Sequence, residues 1–139
     1  MAENKTQFTD VPVDTFLATV TPERRVADAR VLIELMRRLT GEPAAMYGPS
    51  IVAFGQCRYR TAAGREDVMP RLCFAPRKAA LVLYGLRRGA NHAALMPRLG
   101  TFKVAGGCTH IKALADVDMT VLEALLTEAL AANRVAYPD

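Results

Sequence analysis

Residues 71–84 read RLCFAPRKAALVLY, and their punctuation decides the fold. Two short apolar runs, Arg71–Ala75 and Ala80–Tyr84, flank Pro76-Arg77-Lys78. Short runs rich in Leu, Val, Phe and Tyr read as strands, and so brief a turn between them implies antiparallel neighbours. Ala80–Tyr84 is apolar on both faces, which predicts a central strand. Upstream, Tyr47-Gly48-Pro49 punctuates the chain and Ile51–Arg60 reads as another strand, followed by a turn over Ala62–Arg65. Downstream, Asn91 is expected to cap a short helix through Leu95, which Pro97 ends or kinks. Residues 100–107 then read as a mobile loop and Cys108–Leu114 as the last strand.

Helices bracket this run of strands. A polar lead over residues 1–9 is expected to be flexible, with Asp10 and Pro12 opening a first helix that carries Phe16, Leu17 and Val20. Thr21-Pro22-Glu23 reads as a second helix start. Val26, Ala29, Leu32, Ile33, Leu35, Met36 and Leu39 then recur at three-and-four spacing until Gly41, predicting a helix over 22–40. Its outer face mixes Arg24, Asp28, Arg30, Glu34, Arg37 and Arg38 and reads as solvated. Asp118 caps a final helix whose stripe is Leu122, Leu125, Leu126, Ala129 and Leu130. Helices, then strands, then a helix predict an α+β fold: an antiparallel sheet with the N-terminal and C-terminal helices packed on one face, in a single domain over 10–139.

The totals narrow the function classes. The chain has 139 residues, enough to bury a core without disulfides. No apolar run approaches the roughly 18 residues that span a bilayer, so no membrane partner is expected. The start MAENKTQ lacks the apolar core of a signal peptide, so a cytoplasmic location is expected. Three cysteines with no C-x-x-C spacing argue for reduced thiols rather than a disulfide framework. The net charge of +4 is spread along the chain without a basic run, which speaks against nucleic acid as a partner.

Chemistry concentrates in GCTHIK, residues 107–112. On a strand, side chains alternate between faces, so Cys108, His110 and Lys112 are expected to share the face away from the helices, with Ile111 as the anchor towards them. Arg58, Arg60 and Tyr84 join that face if the register allows. Cations beside an aromatic suit a small anionic or planar ligand. The predicted ligand-binding set is therefore Cys108, His110, Lys112, Arg58 and Tyr84. A closed metal site wants about four ligands, and Cys108 and His110 offer two. Cys57 and Cys73 are the next candidates, and they lie close to opposite each other if the hairpin turns near residue 64 or 65. His92 reaches the site only if the fold brings it there. Lys112 disfavours a cation, so no metal site is assigned, and no cofactor is identified. There is no serine elbow, phosphate loop or H-E-x-x-H motif, which leans away from an enzyme. The other use of an open sheet face is as a homodimer surface.

As a set, MYGPSIVAFG (46–55), AGRE (63–66), FAPRKAALVLY (74–84) and CTHIKALADVDMTVLEALL (108–126) resemble the YdhG-like domain family, with DTFLATVTPERRVADARVLIELM (14–36) extending the likeness over nearly the whole chain. The resemblance implies a frataxin-like sandwich built on an antiparallel sheet. It also implies a bacterial protein, mostly of unknown function among its relatives, some of which are proposed intracellular iron chaperones. Relatives often carry Thr-Gly-Lys-Ser before the cysteine, where this chain has Val104-Ala105-Gly106-Gly107. The acids of the long helix, Glu23, Asp28 and Glu34, are interleaved with five arginines, which raises the cost of bringing Fe²⁺ close.

Overall fold

A computed structural model describes residues 7–138. Seven strands among them form one sheet in the order β1-β2-β3-β4-β5-β7-β6, every neighbouring pair antiparallel. The strands are β1 (Phe8–Thr9), β2 (Ala44–Tyr47), β3 (Ile51–Arg60), β4 (Glu66–Pro76), β5 (Leu81–Tyr84), β6 (Lys103–Ala105) and β7 (Cys108–Ile111). The helices are α1 (Val13–Leu17), α2 (Glu23–Thr40), α3 (His92–Leu95) and α4 (Met119–Ala136). The fold is α+β.

Register puts the large apolar side chains on one face. Val52 lies opposite Phe74, Phe74 opposite Leu83, Phe54 opposite Leu72 and Leu81 opposite Ile111. These residues form one buried cluster with Leu32, Leu35 and Met36 of α2 and Leu122, Leu125 and Leu126 of α4. The two long helices therefore cover the same side of the sheet, since an apolar stripe and an apolar sheet face each remove the other from water. On the exposed side of the helices, Glu34 pairs with Arg37 at 2.6 Å, and Arg38 of α2 with Glu123 of α4 at 3.0 Å.

Several boundaries differ from expectation. Residues 1–6 of the expected lead lie outside the described residues, while Phe8 and Thr9 pair with Tyr47 and Met46. The segment before Gly48 is a strand, not mere punctuation: Ala44–Tyr47 pairs with Ile51–Phe54 across a three-residue loop. The N-cap of α2 is Pro22 in extended backbone rather than Thr21, and it makes no side-chain cap bond. Asn91 is the N-cap residue of α3, which ends at Leu95 as expected, but its side chain makes no cap bond. Its backbone N–H and side-chain amide instead donate to Glu128 of α4 at 2.9 and 3.2 Å. Residues 103–105 of the expected loop form an edge strand on β7. The final strand ends at Ile111 and gives way to a 3-10 turn at Leu114–Asp116, where Leu114 N–H donates to Asp28.

Gly55 precedes the outer part of the β3–β4 hairpin. It sits in β3 with φ 71°, a left-handed value that side chains resist. Val52 and Phe54 face the helices before it, yet Cys57 also reaches Asn133 of α4, at 3.6 Å. The strict alternation used for the sequence is interrupted there.

Candidate functional site

The end of β5 and the start of β7 build a small cavity. Tyr84 lies directly opposite Cys108. One step beyond the Phe74–Leu83 pair, Cys73 is level with Tyr84, so two thiols and a phenol share one row of the face away from the long helices. After Tyr84 the chain turns at Gly85 (φ 71°) into a 3-10 turn, Leu86–Arg88. Leu86 is buried in the core, which anchors the turn and projects the two arginines from it. Gly85 N–H donates to Gly107 at 3.2 Å, and the Arg87 guanidinium donates to the Gly106 carbonyl. A Cβ at Gly85 would stand 3.1 Å from Arg88 Nε, so glycine here also makes room for the guanidinium.

The resulting cavity measures about 440 Å³ and is lined by Tyr84, Gly85, Arg87, Arg88, His92, Gly107 and Cys108. No carboxylate lines it. His92 Nδ1 lies 2.9 Å from the Gly89 carbonyl, which can only accept, so Nδ1 is the donor of that hydrogen bond. Neither Arg87 nor Arg88 has a carboxylate partner among the described residues. Arg77, from the β4–β5 turn, donates to the Tyr84 hydroxyl at 3.5 Å.

Other hollows are less suited to a ligand. A groove of about 470 Å³ between α2 and α4 is lined partly by Glu34, Arg38 and Glu123, which already pair with cations or acids. In a hollow of about 420 Å³ beside β2 and β3, Arg71 donates to Asn133 Oδ1 and the Tyr137 carbonyl, and Arg134 to the Thr40 carbonyl.

The sequence-derived candidates separate. Tyr84 and Cys108 enter the cavity. His110 shares the Cys108 face but sits one row further, opposite Val82 and Lys103. Lys112 lies past the end of β7, so alternation no longer sets its side; its carbonyl accepts from Arg25. Arg58 pairs with Val68 in the outer part of the β3–β4 hairpin, three strand positions from β7. At about 4.8 Å per strand and 3.3 Å per residue it is well removed from Cys108. The cavity instead recruits Arg87, Arg88 and His92. Their signal was GLRRGANH, a pair of arginines between glycines immediately after a buried strand.

The thiols have distinct surroundings. Cys57 lies opposite Met69 and Cys73 opposite Ala53, so they are not cross-strand neighbours as the hairpin estimate had them. Cys57 is buried beneath α4. Burial pushes the Cys73 thiol up to about 12, with Arg88 opposing and Cys108 adding to the effect. All three cysteines are free, and among the described residues no three His, Cys, Asp or Glu side chains converge as a metal site. Two acids of α2 are engaged elsewhere: Asp28 accepts from Leu114 N–H, and the Arg37 hydrogen bond holds the Glu34 carboxyl below its usual range. No described helix is long and apolar enough to cross a membrane. No family model, curated protein or solved structure matches the chain.

Proposed function

We propose that this chain is a binding protein for a small anionic ligand, seated in the cavity between Tyr84, Cys108, Arg87, Arg88 and His92. The observation that carries the reading is the pair of guanidiniums, without carboxylate partners among the described residues, at a cavity lined by no acid. Arginine recognises carboxylate and phosphate through paired N–H donors, and an apolar phenol edge gives a planar group something to lie against. Arg87 is held by the Gly106 carbonyl, so part of the site is ordered before a ligand arrives. This relocates the ligand from the His110–Lys112 end of β7 to its Cys108 end. The YdhG-like likeness is compatible with such a role, since it prescribes no reaction.

The test is a titration of isotopically labelled protein with inorganic pyrophosphate, followed by amide and imidazole NMR shifts. Saturable shifts are expected at Gly85, Gly107, Cys108 and the His92 ring, and they should weaken at least tenfold in R87Q/R88Q. Shifts that fail to saturate, or that survive this double substitution, overturn the reading.

A further inference from the structure

We propose that Cys108 is a thiol–disulfide exchange site for small disulfides that carry carboxylates. The inference rests on the anion-binding reading: the cations of the cavity draw in the disulfide, and the thiol among them accepts it. Among the three cysteines only Cys108 lines the cavity, together with Arg87, Arg88 and His92. It is free and keeps some exposed surface. Cys57 is 4% exposed, and its sulfur accepts from the Asn133 amide. Burial raises the Cys73 thiol to about 12, which leaves it far less thiolate than an ordinary cysteine near neutral pH.

The chemistry is balanced without a further oxidant. The Cys108 thiol loses its proton to solvent, and the sulfur attacks one sulfur of R–S–S–R. The S–S bond breaks, RS⁻ leaves and takes up a proton, and Cys108 ends as a mixed disulfide with RS. The protein sulfur is oxidised as the leaving sulfur is reduced. The neighbouring thiol does not resolve this product. Cys73 and Cys108 are two strand positions apart, about 10 Å between Cα atoms. A disulfide needs roughly 7 Å or less. The adduct therefore persists until an external thiol removes it, as a reversible modification that fills and neutralises part of the cavity.

The experiment uses two probes of opposite charge, oxidised glutathione and cystamine. Their rates with the protein are read by intact mass and peptide mapping, each divided by its rate with free mercaptoethanol. We expect a single glutathione adduct on Cys108, with the anionic disulfide favoured about tenfold after this correction. Raising the ionic strength should shrink the preference, and R87Q/R88Q should bring it to about one while cystamine still modifies Cys108. Absence of a Cys108 adduct, equal labelling of all three cysteines, or equal corrected rates for the two disulfides overturns the proposal. Pyrophosphate titration of the reduced wild-type protein separates the two readings. If the protein binds pyrophosphate while its thiol does not exchange, only the exchange proposal falls. If neither pyrophosphate binding nor charge preference is found, both fall.

Discussion

At the residue scale, two cysteines in one row of a sheet, with Tyr84 between them, differ because their solvation differs. Cys73 sits between β3 and β5 and its thiol is desolvated, whereas Cys108 lies at a rim. The folded state therefore holds the Cys73 proton to about pH 12, while the unfolded chain releases it near the ordinary value of 9.0. Between those values the native state binds more protons than the unfolded one, so this residue's contribution to stability falls as pH rises. The slope reaches at most about 1.4 kcal/mol per pH unit. Urea unfolding between pH 8 and 11 should show a steeper alkaline loss in wild type than in Cys73→Ala. Tyr47, also raised by burial foremost, titrates in both proteins and leaves a residual alkaline loss. Identical pH slopes would show that the Cys73 thiol is open to water.

At the element scale, α4 shows how far local sequence can be trusted. Asp118 accepts from the N–H groups of Thr120 and Val121 at 2.9 and 3.2 Å, as an aspartate before an apolar-periodic run should. Asp118→Ala should cost about 1 kcal/mol in chemical denaturation, with rescue by Asp118→Ser. A loss within experimental error would mean that packing alone holds the first turn. Signals of this kind need only four residues. The strands β2 and β6 were not legible in the same way. Ala44–Tyr47 and Lys103–Ala105 are too short to display a period, and each becomes a strand because a neighbour offers a free edge for its backbone hydrogen bonds. Likewise the alternation of Cys108 and His110 was readable, but Gly55 interrupts the pattern from which the side of Arg58 would be inferred.

At the scale of the whole molecule, Arg25 ties distant segments together. It is one of five arginines on α2 and is 2% exposed. Its guanidinium donates to the carbonyl of Lys112, just past β7, and at 3.5 Å to that of Lys78 in the β4–β5 turn. Nε has no partner among the described residues, and no carboxylate pairs with the charge. Arg25→Ala strips two carbonyls of a donor and opens a void, and should lower unfolding free energy by about 2–4 kcal/mol. Arg24→Ala, on the exposed neighbour, should stay within about 0.5 kcal/mol. Equal effects of the two substitutions would show that Arg25 is no clamp.

The sequence by itself determined what depends on near neighbours along the chain: the two long helices, the strand Ile51–Arg60, the strand read as Ala80–Tyr84 and found at Leu81–Tyr84, the antiparallel pairing across short turns and the α+β class. It also brought Tyr84 and Cys108 forward as residues with chemistry to offer. Only the tertiary structure decided that Arg87, Arg88 and His92 meet them, that Arg58 and Lys112 do not, and that Cys57 and Cys73 are separated. The physical reason is that propensity and periodicity act within a few residues. A site is set instead by register between strands far apart in sequence and by where one glycine lets the chain turn.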